Sequence, residues 1–212
     1  AHGIPELISR IIAARGVGVE DAAAYLNPTL RTSLPDPSHL KAMDEAVGRV
    51  MLAIERGEKI AVFGDYDVDG ATSAALLTRY FREIGIVLRT YIPDRMKEGY
   101  GPNIPAFDTL IDEGCQLIVT VDCGTLAFTP IAHAKARGVD TVVLDHHTAE
   151  SRLPDALTVN PNRLDDASTH GTLAAVGVTF LFLVALNRAR RAAGHSEPDL
   201  LAMLDIVALG TV

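Results

Sequence analysis

At 212 residues, 48% hydrophobic and 22% charged, the chain can bury a sizeable core and has the composition of a soluble globular domain with an appendage. No stretch approaches the roughly 20 uninterrupted apolar residues of a membrane span, and the opening Ala-His-Gly-Ile-Pro-Glu lacks the basic and apolar regions of a secretory signal. Its 27 acidic and 19 basic side chains leave a net charge of −8, which excludes nucleic-acid binding by bulk positive charge unless cations held by the acids make the working surface less negative. Cys115 and Cys123 are too few for a disulfide framework or a cysteine zinc site, and read as buried thiols of a cytoplasmic protein.

Along the chain, Ile4, Leu7, Ile8, Ile11 and Ile12 fall at helical spacing, and a short second helix is expected over 20–26. Pro28, Pro35 and Pro37 mark an irregular connection. Residues 1–44 are therefore set apart as a helical segment and connection, expected to pack on a domain spanning 45–212. A helix over 43–56 buries Ala46, Val47, Val50, Met51 and Ile54 and stops at Gly57. From residue 60 the rhythm becomes strand, helix, strand. Strands are expected over 60–63, 87–92, 117–121, 141–144 and 156–159, with helices over 73–84, 105–113 and 130–137 between them. Alternation of this kind implies a three-layer α/β domain, a mostly parallel sheet of about five strands covered by helices on both faces. A long apolar helix over 173–191 ends in Arg188, Arg190 and Arg191, which suits its dipole. Residues 200–209 read as a further buried helix. There is no internal repeat and no low-complexity stretch.

The rest is organised around Phe63-Gly64-Asp65-Tyr66-Asp67-Val68-Asp69-Gly70. Three carboxylates at alternate positions directly follow a short apolar run, so they sit at the C-terminal end of a strand, where open α/β sheets keep their ligands. Like charges this close repel, and without a partner at least one takes up a proton. A divalent, oxygen-liganded cation keeps all three ionised. The competing reading is an acidic turn that caps the next helix. A calcium loop is disfavoured because no Glu follows at the required offset. Two further strand ends carry similar groups, Asp122-Cys123-Gly124 and Asp145-His146-His147. Taken singly, Asp122 could be a helix N-cap, the histidines ordinary loop residues, and Asp205 a core acid or helix-end residue. In a parallel sheet, however, Asp65, Asp67, Asp69, Asp122, Asp145, His146 and His147 meet in one crevice. Carboxylates mixed with imidazoles suit Mn²⁺ or Mg²⁺, and there are enough for two ions sharing a bridging carboxylate, an arrangement that activates water against phosphate esters.

Asp65-Tyr66-Asp67-Val68-Asp69-Gly70, Val121-Asp122-Cys123-Gly124 and Asp145-His146-His147 resemble the first three motifs of the DHH phosphoesterase superfamily. The pattern is closer still to its RecJ branch, the single-strand-specific 5′→3′ DNA exonucleases of repair and recombination. That likeness rests on Ala14-Arg15-Gly16, Asp44-Glu45-Ala46-Val47, Lys59 to Gly64, Tyr91 to Gly101, Val159-Asn160-Pro161-Asn162 and Asp205 to Val212. The resemblance implies that Asp65, Asp67 and Asp69 bind metal, that Asp122 bridges two ions, and that His146 and Asp205 complete the second site. It also implies that His147 binds or polarises phosphate and that Asp145 orients its neighbours. Single-stranded DNA is the implied substrate, with a single-strand-binding protein and a helicase as implied repair partners. RecJ-like proteins continue into a second, substrate-binding domain that this chain lacks, so the chain reads as a fragment.

A separate expectation concerns 95–101, read as a glycine-rich loop. Arg95 and Lys97 there suit phosphate contact and Tyr100 suits stacking on a base; otherwise the loop is merely solvated. Asn160 and Asn162 are expected to shape the same crevice. Two other functions stay open. One is a DHH phosphoesterase acting on short oligonucleotides, cyclic dinucleotides or pyrophosphate. The other is a non-catalytic replication-complex subunit with the same fold.

Overall fold

The structure, a computed structural model, describes residues 3–212. It forms two compact units, one ending at Pro35 and one running from Asp36 to Val212. The first holds α1 (Glu6–Ala14), α2 (Ala22–Leu26) and α3 (Leu30–Ser33). Ile12 and Ala22 are its buried side chains, and the Arg15 guanidinium donates to the Tyr25 hydroxyl at 2.9 Å.

The second unit continues with α4 (Met43–Arg56), β1 (Ile60–Gly64), α5 (Val68–Glu83), β2 (Arg89–Tyr91), α6 (Arg95–Glu98) and α7 (Ile104–Asp112). It ends with β3 (Leu117–Val121), α8 (Phe128–Ala136), β4 (Asp140–Leu144), β5 (Leu157–Val159), α9 (Ala175–Ala192) and α10 (Leu204–Thr211). All neighbouring strands pair in parallel, in the order β2-β1-β3-β4-β5. The expected three-layer fold is therefore what the chain adopts.

Residue alternation in the strands builds the two outer layers. Ile60, Val62, Leu117, Val119, Val121, Val142 and Leu144 face one core, filled by α4, α5, α9 and Met203. Ala61, Phe63, Ile118 and Val143 face the other, with Phe107 and Leu110 of α7 and Ile131 of α8. Because both faces are covered, the strands read as continuous apolar runs. Inside the first core, the Tyr80 hydroxyl donates to Asn187 Oδ1 at 2.7 Å, and the Asn187 amide donates to the Pro198 carbonyl at 3.0 Å. Tyr80→Phe removes that donor and leaves a buried carbonyl oxygen unpaired. Urea unfolding should show a loss of about 1–3 kcal/mol, and an unchanged midpoint would contradict the pairing.

Several boundaries differ from expectation for identifiable reasons. Strand β2 is shorter than 87–92 because it lies at the sheet edge, where Val87 is 87% exposed and unpaired. Helix α5 starts five residues before 73: Asp67 accepts from the Gly70 amide at 3.0 Å, so the acidic turn is itself the first turn. Residues 95–98 are a helical turn, not loop, with Asp94 accepting from the Met96 amide. The expected helix over 200–209 divides into a 3₁₀ turn, Leu200–Met203, and α10.

Candidate metal centre

The parallel register sets the site. Gly64 pairs with Val121, Val121 with Leu144, and Leu144 with Val159, so the next residue of each strand lies on one rung. Those residues are Asp65, Asp122, Asp145 and Asn160, all buried. The ladder continues through them, since the amides of Asp65, Asp122 and Asp145 donate to the carbonyls of Val121, Leu144 and Val159. Asp65 and Asp122 flank the point between β1 and β3 where the strand order reverses, the position at which open parallel sheets bind ligands.

Two glycines permit this crowding. A Cβ on Gly70 would lie 2.6 Å from the backbone N and O of Asp65. Gly124, at φ +115°, would place a Cβ 2.5 Å from the Thr120 hydroxyl. Between them Asp122 takes φ +59°, a conformation uncommon for a non-glycine residue and frequent where structure is held under strain for function. The Tyr100 hydroxyl donates to the Asp122 carbonyl at 3.2 Å and pins that turn.

Ligand atoms of Asp65, Asp67 and Asp122 lie within 4.8 Å of one another, as do those of Asp122, His146 and His147. Asp122 belongs to both groups. Burial pushes the Asp122 carboxyl up to about 6 against the pull of His146, and the nearby Asp69 and Asp67 charges push the same way. Burial raises Asp65 too. Asp65 Oδ1 and Asp122 Oδ1 are buried without a hydrogen-bond partner.

His146 Nδ1 lies 3.0 Å from the Leu173 carbonyl, which can only accept, so Nδ1 carries a proton there. In the neutral ring the lone pair of Nε2 then faces Asp122 Oδ1 at 3.2 Å and Asp69 Oδ2 at 3.7 Å. Acceptors facing acceptors need a cation or a proton between them. With a proton, the Asp122 carboxylate lifts His146 to about 9. Of His147, Nδ1 lies 2.7 Å from Asp145 Oδ1, and its ring meets Tyr100 edge-on.

Asp145 accepts from the amides of His146 (2.7 Å) and His147 (3.2 Å) and from the Thr125 amide (3.0 Å). Burial would raise its carboxyl, but the bonds from His147 and Thr125 outweigh it and hold the group at about 2. Asp69 serves two neighbours. Its oxygens accept from the Ala175 and Val176 amides, both at 2.7 Å, which ties α5 to the positive N-terminus of α9, while Oδ2 also borders His146.

One expected ligand is elsewhere. Asp205 opens α10 with a 76% exposed side chain, 3.7 Å from the Arg79 guanidinium, and joins neither ligand group. The apolar face of α10 turns inward and carries Asp205 outward. Arg95 lies over the Tyr66 ring at 5.1 Å, and Lys97 is exposed beside Asp94 at 3.3 Å. Tyr100 lines a cleft of about 250 Å³ with Pro102, Leu126 and His147. Thr125 and the Leu173 carbonyl were not expected at the site. The one signal for Thr125 is its place directly after Asp122-Cys123-Gly124.

A family model described as the DHH family, N-terminal domain, matches residues 59–211. The chain belongs to the DHH family. The matched range includes Asp145-His146-His147, which stands at the end of β4. The DHH chain is 39% identical over 217 residues to the single-stranded-DNA-specific exonuclease RecJ of Salmonella typhimurium, covering 99% of this chain and 37% of that protein. Against the Bacillus subtilis protein of the same name it is 36% identical over 210 residues, covering 99% and 26%. A crystal structure of exonuclease RecJ bound to manganese matches with a TM-score of 0.71 and 34% identity, over 81% of this chain and 43% of that one. The DHH chain therefore spans between 26% and 37% of the length of these curated relatives. Among the described residues no helix is long and apolar enough to cross a membrane.

Proposed function

We propose that the chain carries the two-metal centre of a cytoplasmic exonuclease that hydrolyses phosphodiester bonds of single-stranded DNA from its 5′ end, with Mn²⁺ or Mg²⁺ as cofactor. The observation that carries this reading is the convergence on Asp122 of Asp65 and Asp67 on one side and of His146 and His147 on the other, with Asp65 Oδ1 buried and without a hydrogen-bond partner. Such a set fits a divalent cation. One ion would be held by Asp65, Asp67 and Asp122, and a second by Asp122 and His146 with Asp69 at its border. When bound, the ions supply water activation and neutralise charge on the phosphate.

The chain's own residues do the rest. Asp122, presented on a left-handed turn at φ +59°, would contribute its carboxylate to both ions. Asp145 holds His147 at the rim, where its ring can donate to or bind a phosphate oxygen. Arg95 and Lys97 on α6 offer backbone-phosphate contacts, and exposed Tyr100 offers a face for a base. DNA as substrate is supported by what the relatives' names state of them, and the 5′→3′ polarity by the motif resemblance. A single-strand-binding protein and a helicase are the partners this reading implies.

Asp145→Asn keeps the shape but turns an amide NH₂ toward either the Thr125 amide or the histidine amides. Mn²⁺ affinity, read by calorimetry, should fall about 10- to 100-fold; wild-type affinity would contradict the supporting role. The function itself is tested by supplying Mn²⁺ with end-labelled single-stranded DNA, a dinucleotide and pyrophosphate side by side. Immediate release of the 5′ label as mononucleotide is expected. Cleavage of the small substrates alone would move the protein to the other enzymes of its family.

A further inference from the structure

The His146-His147 dipeptide has all four of its backbone polar groups taken. Its two amides donate to Asp145 Oδ1. The His147 carbonyl accepts from the Asn160 amide at 2.9 Å, and the His146 carbonyl accepts from the Asn162 amide. Asn160 is completely buried and fully bonded. Its other N–H donates to the Thr125 hydroxyl at 2.8 Å, and its Oδ1 accepts from the Asn162 backbone amide at 2.8 Å. Since Thr125 also donates to Asp145, the bonds close a ring: Asp145, Thr125, Asn160, His147 and back to Asp145. Asn162 extends it to the Gly171 carbonyl, close to Leu173, whose carbonyl sets the His146 ring.

We infer that Asn160 and Asn162 are positioning residues of the metal centre: strand β5, which brings no carboxylate, delivers a pair of neutral amides that lock the histidine dipeptide from its carbonyl side. The inference rests on the proposed metal centre. Its chemistry explains the residue type. Gripping two carbonyls requires N–H donors, a Lys or Arg would add a charge that competes with the cation, and a Ser hydroxyl donates only once. Locked on both sides, the two rings hold one orientation and lose little freedom when an ion binds.

The test uses Asn162→Ala, at a half-buried position, and Asn160→Asp, which keeps the shape and loses both donors. Mn²⁺ affinity by calorimetry, the Co²⁺ d–d absorption bands, histidine ¹⁵N resonances in EDTA and melting in EDTA are compared with wild type. The expected result is a 10- to 100-fold weaker affinity, shifted Co²⁺ bands and displaced imidazole resonances. Asn162→Ala should meanwhile melt in EDTA within a few degrees of wild type. Should Asn160→Asp fail to fold, Asn162→Ala decides alone. Unchanged affinity, Co²⁺ bands and imidazole resonances in Asn162→Ala would overturn the inference. If wild type itself binds no Mn²⁺, the metal-centre reading falls, and the imidazole resonances in EDTA still decide whether the asparagines set the rings.

Discussion

Asp122→Asn should abolish measurable Mn²⁺ binding, a loss of about 100-fold or more in affinity, because both ligand groups share that one carboxylate. The metal-free protein should not suffer in parallel. A carboxyl that burial raises from 3.8 to about 6 binds its proton more tightly folded than unfolded, so above that pH its ionised form costs stability. Asparagine fills the same space without the charge. In EDTA at neutral pH the variant should therefore melt no lower than wild type, and Mn²⁺ should raise its melting temperature far less. A variant that still binds Mn²⁺ like wild type would show that Asp122 bridges nothing. A variant that simply unfolds would show that its charge serves the fold.

The second large effect comes from a single methyl group. In Gly70→Ala the new Cβ would overlap the backbone of Asp65, and backbone atoms cannot swing aside as a side chain can. Gly64, whose own Cβ would sit 3.1 Å from the Gly70 carbonyl, closes the same gap from the β1 side. The first turn of α5 must then lift off the end of β1, which carries Asp67 away from Asp65. We expect a loss of about 3 kcal/mol, at the upper end of ordinary substitutions, and a melting temperature lower by roughly 6–12 °C. Calorimetry on the folded fraction should also show weakened Mn²⁺ binding. A variant within 2 °C of wild type would mean that β1 and α5 do not approach as closely as described.

Much of this could be read from residue order alone. Strands buried on both faces announce themselves as short β-branched runs, and parallel strands must end on one edge, so the meeting of Asp65, Asp122 and the histidines followed directly. The competing reading of the acidic turn as a helix cap also proved sound. Asp67 caps α5 and still faces Asp65, and Asp69 caps α9 while bordering His146. The two readings are compatible because a carboxylate has more lone pairs than one cap consumes. What stayed hidden depended on partners distant in the chain. Asp205 sits in an apolar stretch whose inward face only packing decides, and α10 turns it toward Arg79. The Thr125–Asn160 contact joins residues 35 apart across the end of β4, from the turn after β3 to the residue after β5, which no local pattern encodes.

Whether these strand ends form a two-ion centre around Asp122 is decided by crystals grown with Mn²⁺ and an anomalous difference map. Two peaks sharing the Asp122 carboxylate are expected, one contacted by Asp65 and Asp67 and the other by His146. Peaks confined to other surfaces, with none touching Asp122, would contradict it.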